Sequence, residues 1–146
     1  MKNEYKAKIC QLLAEKGMYS TMNSSKWREL KNGIAELPFQ PPFEIKCVDE
    51  EELPRHKFDK DVYYTCDWGL YLENYLGGDM HAVPYYAVEW IKVRPRYLKR
   101  WPHRLLPDPG NIAEDVTEQF VEILRKYNIP YKEDNGAFII YGYILF

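Results

Sequence analysis

The stretch "YYAVEWIKV", Tyr85 to Val93, decides the fold class. It is made of β-branched and aromatic residues with no Gly or Pro, a composition that suits a pleated, half-buried surface. Alternation along it puts Glu89 on the same face as Ile91 and Val93. A central strand of this kind needs partners, and the flanking sequence supplies them. Pro38, Pro41 and Pro42 rule out a helix, and "FEIKCV" then alternates Phe43, Ile45 and Cys47 against Glu44 and Lys46, which predicts a strand. "VYYTCDW" and "LYLENYL" predict two more strands around Gly69, with "GGD" as the turn that follows.

On the other side, "YKEDNGAFIIYGYILF" closes the chain as a hairpin or as a turn into a strand, with Asn135-Gly136 as the turn signal. Phe138, Ile140 and Ile144 face one way and Ile139, Tyr141, Tyr143 and Leu145 the other, so this strand is apolar on both faces and belongs inside a sheet.

Helices frame the strands. Tyr5, Ile9, Leu12 and Leu13 share one side of a first helix, with Asn3 as its cap and Gly17 at its stop. Trp27, Leu30, Ile34 and Leu37 make the stripe of a second, capped by Ser24 or Ser25 and ended before Pro38, with Gly33 costing about 1 kcal/mol in its interior. Asn111 to Asn128 predicts a third: Asn111 and Glu114 stand at capping-box spacing, and Val116, Phe120, Ile123, Leu124 and Tyr127 form one stripe. The expected fold is a single α+β domain, an antiparallel or mixed sheet of about five strands with two to three packed helices. Residues 1–22 read as an N-terminal helical extension of a domain at 23–146, with a basic insertion at about 93–110.

That insertion is the one compositional anomaly. Ile91 to Asn111 holds six Lys/Arg and one His with no acid before Asp108, although the 146-residue chain carries a net charge of −2. Polyanion binding therefore has to come from this local patch. Arg94, Arg96, Lys99, Arg100 and Arg104, interleaved with Tyr97 and Trp101, have the composition of a grip on single-stranded nucleic acid, by phosphate pairing and base stacking. The same residues, Trp101 above all, also fit a protein interface, where exposed aromatic and Arg side chains dominate the energetics. The plain reading is a solvated connection, with "DEEE" at Asp49–Glu52 close enough to neutralise it.

The order of "SSKWRELKNGI", "CDW", "VEWIKV" and "IYGY" resembles a bacterial family classed as a domain of unknown function, over roughly Asn23 to Tyr143. The resemblance implies a compact bacterial domain and brings no catalytic residues with it. Relative to that pattern, the helix before Met22 and the Tyr97–Gly110 stretch are additions.

Catalytic chemistry is poorly represented. His56, His81 and His103 lack any paired-ligand spacing, Gly77-Gly78 lacks the partners of a phosphate loop, and Cys10, Cys47 and Cys66 form no C-x-x-C pair. No metal site or cofactor is predicted, and the odd number of thiols fits a reducing, cytoplasmic setting. The N-terminus lacks the apolar run of a signal peptide or membrane span, so no membrane association is expected. Glu89 is the one carboxylate with a catalytic reading: on an apolar sheet face, with Asp67 or Glu73 nearby, it would make a hydrolytic acid–base pair. Its structural reading is a pairing with an Arg or a Tyr hydroxyl at the sheet edge.

The expected function is a non-catalytic module that binds a protein partner, a neutralising protein of the toxin–immunity sort being one form of it. Nucleic-acid binding through Lys92–Arg104 is the first alternative, and a hydrolase built on Glu89 the second.

Overall fold

A computed structural model describes residues 2–50, 76, 83–99, 101–103 and 105–145. The predicted strands "VYYTCDW" and "LYLENYL" and the "GGD" turn lie outside the described residues. Among those described, three helices and eight strands are arranged in antiparallel sheets. The α+β architecture is as expected, with more than five strands.

Helix α1 (Lys2–Lys16) ends at Gly17, whose φ of +69° lets the chain reverse into strand β1 (Met18–Ser20). Asn3 lies within the first turn of α1 and is not its cap. The predicted face is the one that packs: Ile9 is buried against Val48 and Ala87, with Tyr5, Leu12 and Leu13 around it. Two tethers fix the helix to the body: Lys16 Nζ donates to the Val48 carbonyl at 2.7 Å, and the Tyr5 hydroxyl donates to Asp49 at 3.2 Å. Strand β1 then pairs with the last strand, β8 (Tyr143–Leu145), in the register Met18↔Leu145. The segment expected as an extension thus contributes both a docked helix and a paired strand.

Helix α2 (Ser24–Ala35) is capped one residue earlier than expected, by Asn23, whose side chain accepts from Lys26 N at 2.8 Å. Strands β2 (Phe43–Cys47), β3 (Val88–Val93), β7 (Ala137–Tyr141) and β6 (Lys132–Asp134) form a four-stranded antiparallel sheet in the order β2-β3-β7-β6. The predicted strand at 85–93 begins late, because Tyr85–Ala87 forms a 3-10 turn before β3. The predicted closing strand breaks at Gly142: β7 belongs to the four-stranded sheet and β8 to the pair with β1. Asn135 (φ 52°) and Gly136 (φ 84°) form the β6–β7 turn, both residues left-handed as a type I′ hairpin requires.

The expected helix 111–128 is two elements. Ile112–Asp115 is strand β5, paired with β4 (Arg96–Leu98), and helix α3 starts only at Thr117 and runs to Lys126. Asn111 and Glu114 are therefore no capping box. Asp115 accepts from Thr117 N at 2.8 Å and from its hydroxyl at 2.5 Å, which turns the chain out of the strand and into the helix. The predicted stripe survives: Val116, Phe120 and Leu124 are buried, with Ile123 and Tyr127 packed beside them.

One core results. Trp27, Leu30 and Ile34 of α2 and Phe120 and Leu124 of α3 cover Ile91, Val93, Phe138 and Ile140 on one face of the sheet. Phe120 and Phe138 meet at 5.5 Å between ring centroids.

Candidate functional site

The basic stretch divides according to how the backbone is held. Arg94 leaves β3 with its N–H donating to the Pro42 carbonyl (3.1 Å) and its side chain only 1% exposed. Arg96, at the start of β4, turns the same way: a Cβ on Gly136 would stand 2.9 Å from Arg96 Nη2 and 3.1 Å from Arg94 Nη1. Both guanidinium groups therefore lie over the Asn135-Gly136 turn and pack against the fold. Tyr97 sets its ring edge-on to Phe39, with centroids 4.9 Å apart. Three of the predicted binding residues are thus engaged within the domain.

The remainder projects. Strands β4 and β5 form a two-stranded ribbon in the register Arg96↔Asp115, Tyr97↔Glu114 and Leu98↔Ile112, with a bulge between Tyr97 and Leu98. Every residue of β5 is exposed. The connection at the end of the ribbon is closed by Lys99 N donating to the Asn111 carbonyl (2.8 Å). Within it, Trp101 Nε1 donates to the Leu106 carbonyl (3.1 Å), and the indole rests edge-on against His103. Gly110, at φ +68°, receives its turn from Asp108, whose carboxylate accepts from Gly110 N at 2.7 Å. Arg100 and Arg104 lie outside the described residues.

Leu105 and Leu106 stand at the tip, 98% and 58% exposed, with Ile112 at 40% on the strand below. Sequence reasoning passed them over in favour of the charges around them. The signal was available: two adjacent leucines in a non-periodic loop, between Arg104 and Pro107, have no core face to serve.

The ribbon is also two-toned. From Arg96 to Asp115 there are four cations, Arg96, Lys99, Arg100 and Arg104, against three acids, Asp108, Glu114 and Asp115, a net of +1 with His103 neutral. Two of the three acids, Glu114 and Asp115, come from the paired strand, and Asp108 from the connection. Half of "DEEE" lies outside the described residues; of the other half, Asp49 accepts from Tyr5 and Glu50 from Cys47 N.

The second face of the four-stranded sheet carries Glu44, Lys46 and Lys92, all buried, with Glu44 opposite Lys92 and Lys46 opposite Trp90. Here alternation misplaces Glu89. The β2–β3 register shifts between Lys46 and Cys47, so Val88 enters the same core as Ile91, three residues on, and Glu89 turns to the polar face. Its carboxylate meets Lys46 Nζ at 2.9 Å, both side chains being largely buried. This is a charge-compensating pair, the arrangement that lets two ionised groups remain inside a protein. Asp67 and Glu73, the acids suggested as its catalytic partners, lie outside the described residues.

One thiol and two phenols are held in their protonated forms. Burial, reinforced by Glu50, pushes the Cys47 thiol up to about 12. Burial likewise raises Tyr143, whose hydroxyl donates to the Tyr86 carbonyl, and burial with Asp49 raises Tyr5. A thiol held protonated at neutral pH is a poor nucleophile. Among the described residues no three His, Cys, Asp or Glu side chains are grouped to hold a metal ion, and no helix is long and apolar enough to cross a membrane.

These features define a small α+β domain with a projecting, mixed-charge β-ribbon. A family model described as a family of unknown function (DUF6678) matches residues 9–145, nearly the whole chain, and the protein belongs to that family. The match begins at Ile9, inside α1. No curated protein and no solved structure matches the chain.

Proposed function

We propose that this domain is a non-catalytic binding module that recognises another protein through the β4–β5 ribbon. One observation carries the reading: Leu105 and Leu106 are presented to solvent at the end of a braced hairpin. Exposed apolar side chains on an ordered projection lower the cost of association, because little conformational freedom is left to lose on binding. The free thiols Cys10 and Cys47 accord with a reducing, cytoplasmic setting. Neutralising proteins work by occupying a partner's surface, and this scaffold has the parts for that and needs no reactive group.

Nucleic-acid binding fits the ribbon less well. Arg94 and Arg96 lie over the β6–β7 turn, the Tyr97 ring is taken by Phe39 and that of Trp101 by His103, and a net of +1 offers a polyanion little. The test is purification of the full chain from its native cells at moderate salt, beside a Leu105→Asp/Leu106→Asp variant. A stoichiometric protein partner present with the wild type and absent with the variant supports the reading. Nucleic acid in both eluates, released steeply as salt rises, overturns it in favour of the alternative.

A further inference from the structure

Resting on the protein-binding reading, we infer that Leu105 is an anchor for an apolar slot on the partner, and that the rim of this slot carries carboxylates on one side and cations on the other. The argument begins with the backbone. Pro102, Pro107 and Pro109 remove freedom from the connection, the Trp101–Leu106 hydrogen bond crosses it, and the Lys99–Asn111 bond closes its base. The tip is thus set in shape before anything binds, and Leu105, 98% exposed, has no packing role inside the domain.

Charge then separates the occupants. On the β4 side, Lys99 is exposed and the chain from Lys99 to Leu106 contains no acid, whereas on the β5 side Glu114 and Asp115 are exposed and no base intervenes after Arg104. A uniformly anionic surface, lipid or nucleic acid, attracts the first side and repels the second. Only a surface that is itself mosaic, with acids facing Lys99 and bases facing Glu114, satisfies both at once. A protein cleft has that freedom of pattern.

The test places a photo-reactive phenylalanine analogue at position 105 of the full chain in its native cells, with position 132 on the exposed β6 edge as the control. The expected result is a single protein adduct at 105 and none at 132. The cross-linked peptide should pair apolar residues with Asp or Glu, and adduct yield should fall about tenfold when Lys99→Glu is added. Because the Lys99 and Leu105 side chains are exposed, circular dichroism of each variant should match the wild type. An adduct with a second copy of this chain, with nucleic acid or with lipid, or a protein adduct indifferent to Lys99→Glu, overturns the inference. If wild type co-purifies with a partner yet position 105 gives no adduct, the anchor assignment falls while the protein-binding reading stands. If no partner co-purifies, both fall.

Discussion

Gly142 lies so close to Val88 that a Cβ at Gly142 would stand well within van der Waals contact distance of the Val88 carbonyl oxygen, and 3.2 Å from Cζ2 of Trp27. Three of the motifs that resemble the family's, around Trp27, Val88 and Gly142, thus meet at one point. The approach is locked from both sides, since Gly142 N donates to the Glu89 carbonyl (2.8 Å) and its own carbonyl accepts from Thr21 N (2.9 Å).

Gly142→Ala should therefore destabilise the domain. The clashing atom is backbone, which cannot rotate away, and the ring beside it is buried. The expected loss is about 1–3 kcal/mol, the range for overpacking a filled interior, read from the urea midpoint.

Gly33 tests the same principle between helices. The Ile123 side chain of α3 packs closely against it, with Cγ1 3.2 Å from where a Cβ would stand and Cγ2 nearer still. Helix propensity alone favours Ala here by about 1 kcal/mol. Gly33→Ala in the wild type should nevertheless lower stability, and in an Ile123→Ala background it should raise it, so a double-mutant cycle should show coupling on the order of 1–2 kcal/mol.

Arg94→Ala should behave as a core truncation. With 1% exposure and a guanidinium over the β6–β7 turn, Arg94 packs its length inside the fold, and its removal should cost on the order of 2–4 kcal/mol in denaturant titration. Capture of a partner by the folded fraction should be unchanged. Selective loss of capture at full stability would place Arg94 in the interface.

Cys47 sets a pH dependence of definite sign. Its folded thiol is pushed up to about 12, above its unfolded value, so the native state holds the proton longer. The stabilisation is complete below the unfolded thiol's range and is lost as pH rises from about 9 toward 12, with Tyr5 and Tyr143 adding in the same direction. Urea midpoints between pH 8 and 10.5 should fall, and fall less in Cys47→Ala. In native-state alkylation at pH 7.5 followed by peptide mapping, exposed Cys10 should react well before Cys47.

Local patterns in the chain were legible where one element alone decides them. The α2 and α3 stripes, the Asn135-Gly136 turn and the alternation in β2 all follow from spacing that a single helix or hairpin imposes. What escaped is decided across the fold. Asn111 and Glu114 have capping-box spacing, yet pairing with Arg96–Leu98 holds them in a ribbon, because propensity yields to a partner distant in sequence. Glu89 left its expected face through a bulge that only the β2–β3 register reveals. Of the candidate site, the stretch was found from its charge. Which of its side chains turn inward depends on Gly136, some forty residues away, and so could not be read from the stretch itself.

The pairing of Met18 with Leu145 bears on biosynthesis. Residues 18–20 are made more than a hundred residues before their ladder partners, 143–145. Until then an unsatisfied strand waits beside a half-built body, open to mispairing. A chaperone that shelters nascent chains would therefore have to cover residues 18–20 until 143–145 emerge, and a stall in between would leave β1 without its partner.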